Sequence, residues 1–246
     1  MNRVIIDTET AFDVYYTNRK TGEKKPDFNT GLVYDFGGVV VDSNFNVIDS
    51  FNFVIDDIFN GMPEKMATAY YSDKIPTYLV DIENGVREVV SMLEAYNFFQ
   101  TLCREYHITE VWAYNVKFDK TALSYTLSKL SNGFVSDILP AGVSFKCIMG
   151  AFKSVLANSS NYFKCAIECG QITPAGNVRM TAESAYQYIS GNHEFIEAHT
   201  ALADSEIEAA ILQKCLKRKK AMDTKPQTVN HGNYYETQKR FKEWYC

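Results

Sequence analysis

The chain has no run of about twenty apolar residues, the length a membrane-spanning helix requires. Its first residues also lack the basic and apolar blocks of a signal peptide. The expectation is a cytoplasmic protein with no membrane partner. In that compartment the six cysteines (Cys103, Cys147, Cys165, Cys169, Cys215 and Cys246) would not pair. Only Cys165 and Cys169 stand close together, and no second ligand pair lies near them in sequence. They read as one face of a helix rather than a metal site. There is no internal repeat and no low-complexity segment. What remains is a chain of 246 residues, with length for one domain and a sizeable core.

The first informative feature is a short apolar run that ends in acid. Val4-Ile5-Ile6 leads into Asp7-Thr8-Glu9-Thr10. In an extended strand, side chains at i and i+2 share a face, so Asp7 and Glu9 project together from the end of a buried strand. Two carboxylates held side by side repel unless a cation lies between them. Hard divalent ions such as Mg²⁺ take oxygen ligands of this kind. A D-x-E pair also occurs by chance in acidic surface strands, so the rest of the chain must supply the missing ligands.

Two further segments do. Val111 to Tyr114 reads as a short buried strand running into Asn115, and Lys120 to Leu130 carries Leu123, Leu127 and Leu130 at helical spacing. Asp119 lies at that helix start, where a carboxylate serves equally as a cap. The third segment is His199-Thr200-Ala201-Leu202-Ala203-Asp204. It opens a helix whose buried stripe is Ile207, Ala210, Ile211, Cys215 and Leu216. His199 stands at the helix entrance and Asp204 a turn and a half inside.

Asp7-x-Glu9, Asn115-x3-Asp119 and His199-x4-Asp204, in that order, resemble the DEDDh group of DnaQ-like 3′→5′ exonucleases. The resemblance covers residues 1–216, leaving 217–246 as a basic and aromatic tail. The tyrosine subclass would place Tyr four residues before the last Asp, where this chain has Thr200. Met180 to Ile189 and Glu197 to Leu202 are similar to the phage-encoded branch. Two departures concern the nucleotide-contacting edge: Thr10 is followed by Ala11-Phe12-Asp13 rather than Gly, and Tyr114 stands where many relatives have His.

The resemblance implies an α/β fold, a ribonuclease-H-like mixed five-stranded sheet flanked by helices. It implies two divalent cations, Mg²⁺ or Mn²⁺, which in such sites lie about 3.5–4 Å apart. Asp7 is the expected bridging ligand, with Glu9 and Asp204 completing one metal, and Asp119 acts through water. His199, with an ordinary pKa of about 6.5, is the expected general base. Thr10, Phe12 and Asn115 are the candidate substrate contacts, and Phe12 fits either a wedge between terminal bases or a core position. The implied reaction is hydrolysis at the 3′ end of single-stranded DNA, releasing nucleoside 5′-monophosphates. The alternatives are an exoribonuclease or oligoribonuclease, since 2′-hydroxyl contacts decide the sugar, and a non-catalytic nucleic-acid-binding module. Proofreading would require a separate polymerase, so replication or repair proteins are the implied partners.

Charge bears on the same reading. The net charge of −5 by itself argues against a nucleic-acid partner, but Lys214 to Cys246 holds nine Lys/Arg against three Asp/Glu. The tail interleaves Lys217-Arg218-Lys219-Lys220, Lys239, Arg240 and Lys242 with Tyr234, Tyr235, Phe241, Trp244 and Tyr245. That mixture suits single-strand binding by charge and stacking, or equally a solvated helix end followed by aromatics packed on the body. Val33–Asp42 and Val47–Ile55 read as a hairpin turning near Asp42-Ser43-Asn44. Leu79 to Arg104 reads as mostly helical, with Val86, Val89, Val90, Leu93 and Phe98 or Phe99 inward. Asn177-Val178-Arg179 fits a substrate rim or a surface loop, and Lys117 and Tyr114 fit a phosphate contact or structural roles. Asp13, Asp35 and Asp42 read as turn or surface acids. His107, His193 and His231 have no ligand partners in sequence.

Overall fold

The extended run that begins at Val4 continues through Thr8 and Thr10, residue types that suit a pleated surface, so the first strand outlasts its apolar start. A computed structural model of the protein describes residues 1–174 and 176–226. In chain order it contains β1 (Arg3–Phe12), β2 (Tyr15–Thr17), β3 (Lys24–Pro26), β4 (Gly31–Val41), β5 (Val47–Ile55), α1 (Asp56–Phe59), α2 (Pro63–Met66), α3 (Ile75–Glu83), β6 (Glu88–Val90) and α4 (Met92–Glu105). Then follow β7 (Glu110–Ala113), α5 (Val116–Leu130), β8 (Ser144–Cys147), α6 (Ile148–Phe152), α7 (Ser160–Glu168), α8 (Ala182–Ser190) and α9 (Ala201–Lys217).

The main sheet has the order β6-β5-β4-β1-β7-β8, and β2 and β3 form a separate ribbon. Six strands, not five, make up this sheet among the described residues. β1–β4 and β4–β5 pair antiparallel, while β1–β7, β7–β8 and β5–β6 pair parallel. The hairpin expected at Asp42 is present: the Asp42 carboxylate accepts from the backbone N–H of Asn44 at 2.7 Å and of Asn46 at 2.9 Å.

The added strand lies inside the segment expected to be helical. α3 ends at Glu83, and Gly85 adopts φ +70, which lets the chain turn away. Val89 and Val90, β-branched neighbours, then pair with Val54 and Ile55 of β5. Ser91 starts a new helix through a capping box with Glu94. Within α4 the inward residues are Met92, Ala95, Phe99, Leu102 and Cys103, whereas Val86, Val89, Leu93 and Phe98 are exposed.

α9 rests on β1 and β4, and Gly37 permits the approach. A Cβ at Gly37 would stand 2.3 Å from the Leu202 nitrogen. The Asp35 carboxylate, two residues earlier on the same face, accepts from the Ala201 backbone N–H at 2.9 Å and so caps the helix start. Asp35 is fully buried, bound to Arg87 at 2.9 Å and Tyr78 at 2.5 Å. It is therefore neither a turn nor a surface acid. Gly37→Ala is expected to cost about 1–3 kcal/mol or more through overpacking, measured by thermal unfolding. An unchanged Tm would contradict this packing.

The chain beyond α9 returns to the body, where Thr224 O accepts from the Cys147 N–H at 2.8 Å. Arg218, Lys219 and Lys220 are exposed. The tail aromatics and cations from Tyr234 onward, His231, and Ala175 of the Pro174–Gly176 turn lie outside the described residues.

Candidate active site

β7 stops at Ala113 and pairs with β1 only at Val4 and Ile5. Past that point β1 continues alone on this side, so Asp7 and Glu9 open onto a cleft at the end of β7. They sit within the strand rather than at its tip, and the missing neighbour leaves the cleft beside them. The turn after β7 places Asn115 at the rim and starts α5 at Val116, four residues before the expected Lys120. Asp119 consequently falls in the first turn instead of at the cap. It is 3% exposed and accepts a 2.9 Å hydrogen bond from the Thr8 hydroxyl.

α9 delivers the third motif. His199 takes φ +55, an uncommon conformation for a residue with a Cβ, and turns the chain so that Asp204 points back at β1. The ligand atoms of Glu9, His199 and Asp204 lie within 4.8 Å of one another. Asp7, Asn115 and Asp119 line the same cleft, about 270 Å³ in volume. The structure thus brings the six motif residues together around one space.

Three participants were not singled out in the sequence. Glu208 lies one turn after Asp204 on α9, 2% exposed, and accepts from the Tyr114 backbone N–H at 3.0 Å. Its i, i+4 spacing from Asp204 was available as a signal. Glu197 brings its Oε2 to 4.0 Å from His199 Nδ1. The Tyr71 ring stacks on the His199 imidazole at 4.3 Å and 14°. Tyr71 comes from the stretch between α2 and α3, where no motif marks it. Tyr114 is 6% exposed, and its hydroxyl donates to Thr181 O at 3.1 Å.

The electrostatics follow from crowding. Six carboxylates line the cleft, and no lysine or arginine is among its lining residues. Burial, then repulsion from Glu208, Asp119, Glu9 and Asp204, holds Asp7 well above the usual carboxylate range. Burial and then Asp35 do the same to Glu9, and burial and then Asp119 to Glu208. Burial pushes Asp119 up to about 7, against the Thr8 hydrogen bond. Burial and Glu197 push Asp204 to about 8, and burial and Glu183 push Glu197 to about 7. His199 moves down, through burial and then Lys74. Among the described residues, Asp204 Oδ1 is buried without a hydrogen-bond partner. A buried orphan oxygen amid like charges suits a divalent ion.

Beside the carboxylates lies an apolar slot of about 440 Å³ lined by Glu9, Thr10, Phe12, Pro26, Phe28, Tyr70, Tyr71 and Phe118. Phe12 is 6% exposed and meets the Phe28 ring edge-on at 5.4 Å, whereas Phe28 is 61% and Tyr70 79% exposed. Phe12 therefore serves as wall and core together. The other acids near the sequence motifs are structural: Asp13 is held by Lys65, Lys129 and Tyr125. In the Ile172–Val178 loop, Val178 is buried, and the following Arg179 carbonyl accepts from Tyr162 at 2.6 Å.

No family model and no curated protein sequence matches this chain. Its shape is similar to that of cell-death related nuclease 4 (CRN-4), with a TM-score of 0.50 at 18% identity, over 91% of this chain and 65% of that one. It is also similar to E. coli exonuclease I in complex with a dT13 oligonucleotide, TM-score 0.45 at 15% identity, over 89% and 41% of the two chains. Exonuclease I from Methylocaldum szegediense gives 0.47 at 14% identity, with the same shares. The chain therefore spans just under two thirds of CRN-4 and about two fifths of the exonuclease I chains. The fold is a mixed α/β sheet flanked by helices, of the ribonuclease-H-like type. Among the described residues no helix is long and apolar enough to cross a membrane.

Proposed function

We propose that the protein is a 3′→5′ exonuclease that hydrolyses terminal phosphodiester bonds of single-stranded nucleic acid, DNA being the favoured substrate. The observation that carries this reading is the convergence of Asp7, Glu9, Asp119, Asp204 and His199 on one cleft beside an aromatic slot. Asp7, Glu9 and Asp204 would hold divalent ions, Mg²⁺ or Mn²⁺, with Asp119 behind them. Bound there, such ions supply charge for the phosphoryl oxygens, the attacking water and the leaving 3′ oxygen.

The chain's own groups supply the rest. His199 is neutral near pH 7, because burial lowers its pKa, and accepts the proton of the attacking water. The Tyr71 ring and the Glu197 carboxylate hold the imidazole in place. The bond from phosphorus to the 3′ oxygen of the penultimate nucleotide breaks, giving a nucleoside 5′-monophosphate and a new 3′ hydroxyl. Terminal bases stack in the slot formed by Phe12, Phe28, Tyr71 and Phe118, and Thr10 and Asn115 face the strand end. The preference for DNA rests on the similarity of 180–189 and 197–202 to phage-encoded members. The tail from residue 217 is proposed to add charge and stacking to the same strand.

Chromatography of the products tests the reading: nucleoside 5′-monophosphates are expected from single-stranded DNA. 3′-monophosphates, internal fragments or an intact strand would overturn it. Phe28→Ala is expected to weaken single-strand binding by about 1–3 kcal/mol with turnover kept, read as a raised KM. His199→Ala is expected to lower turnover by about 10²–10⁴-fold and to remove the acidic limb of the pH profile. Near-normal turnover at neutral pH would remove His199 from the base role.

A further inference from the structure

A second group of side chains of metal-ligating type, none of which lines the carboxylate cleft, gathers where the end of α7 meets the chain just after α8. Cys165 sits in the last turn of α7 and Cys169 caps that helix, so the two thiols share a side. Their sulfurs are 3.7 Å apart, far beyond the about 2.05 Å of a disulfide. The sequence pairs them with nothing. The structure adds His193, from just beyond the α8 C-terminus, with Nε2 3.9 Å from Cys165 Sγ. The three ligand atoms lie within 4.8 Å of one another.

Those spacings match a known coordination. Tetrahedral zinc, at about 2.3 Å from sulfur and about 2.0–2.1 Å from nitrogen, requires S···S near about 3.8 Å and S···N near about 3.6 Å. The surroundings fit as well. Glu168 Oε2 stands 4.0 Å from His193 Nδ1, the other ring nitrogen, where a carboxylate orients a metal-bound imidazole. Cys165 is 7% exposed while the His193 side chain is 45% exposed, so the group is backed by core and open to solvent for entry and a water ligand. Two thiolates and an imidazole select a thiophilic ion over Mg²⁺.

We propose that Cys165, Cys169 and His193 bind one zinc ion, which fastens the irregular segment 192–200 to the end of α7. Elsewhere the segment is tied by Gln187, which donates to Phe195 O at 2.8 Å, by the Glu197 N–H, which donates to Glu183 at 3.0 Å, and by the Tyr186 and Tyr71 rings against Phe195 and His199. It ends on Glu197 and His199. Zinc would thus act as a brace for the catalytic histidine without touching substrate.

The test uses the whole chain, reduced, stripped with chelator and titrated with Co²⁺ in excess Mg²⁺. One equivalent of Co²⁺ should give a sulfur-to-cobalt charge-transfer band, abolished by one equivalent of Zn²⁺. The band should survive Asp7→Asn and Cys215→Ser but vanish in the Cys165→Ser/Cys169→Ser double variant. His193→Ala, an exposed change that spares the core, should weaken Zn²⁺ binding by more than the about 10–100-fold typical of an outer-shell change. It should also cancel the zinc-induced rise in Tm and quicken hydrogen exchange across 192–200. The proposal is overturned if no charge-transfer band forms, if the band persists in the double variant, or if Zn²⁺ binding is lost only with Asp7→Asn. These readouts do not depend on cleavage, so they stand apart from the proposed reaction.

Discussion

Asp7→Asn is expected to do two opposite things: abolish cleavage and stabilise the metal-free fold. The substitution keeps the shape of the side chain and removes one charge from the centre of the cluster. A catalytic metal supplies several kcal/mol of transition-state stabilisation, and each 1.36 kcal/mol is tenfold in rate. Losing the carboxylate proposed as its central ligand should therefore cost on the order of 10³-fold or more. In the metal-free protein the same carboxylate is buried among Glu208, Asp119, Glu9 and Asp204, each of which raises its pKa. Neutralising it relieves that repulsion. A gain of about 1 kcal/mol would raise Tm by about 2–4 °C in a chain of this size. Thermal unfolding in chelator at pH 8 measures the stability arm, and steady-state cleavage the other. A variant both less active and less stable without metal would mean that Asp7 is structural.

Metal-free protein should lose stability as pH rises from about 6.5 to about 8.5, and divalent ions should restore it. Free Asp and Glu titrate near about 3.9 and 4.3. In the fold Asp119 and Glu197 titrate at about 7 and Asp204 at about 8, with Asp7, Glu9 and Glu208 also raised. Between those limits the native state binds more protons than the unfolded chain. Stability therefore falls as pH increases through the folded values. His199 runs the other way, since its lowered pKa takes stability away only below about 6.5, so the window above that belongs to the acids. The loss should sum to several kcal/mol, because each tenfold change in a group's proton affinity is worth about 1.36 kcal/mol. Mg²⁺ should raise Tm more at pH 8.5 than at pH 6.5. A flat Tm across this range without metal, or a larger metal effect at the lower pH, would contradict the clustered acids.

The site was legible wherever local periodicity and chemistry coincided. Asp7 and Glu9 follow an apolar run at strand spacing, and His199 and Asp204 bracket a helix start, so their shared faces could be read from the chain alone. What escaped depends on contacts far apart in sequence. Tyr71 reaches His199 across more than a hundred residues, and His193 reaches Cys165 by way of α8. Asp35 looked like a surface acid because its partners, Tyr78 of α3, Arg87 just before β6 and the start of α9, lie far along the chain. β6 was hidden for a different reason. A three-residue parallel strand makes no period of its own, and its valines served a helical pattern as well as an extended one.

A time course on 5′-end-labelled single-stranded DNA and RNA of one sequence tests the central claim most directly. It would be run with Mg²⁺, with Mn²⁺ and with chelator, beside Asp7→Asn. The account predicts stepwise shortening from the 3′ end that needs a divalent ion, is lost in the variant, and is faster on DNA. Binding of the strand with no shortening under any metal, or shortening that Asp7→Asn retains, would contradict it.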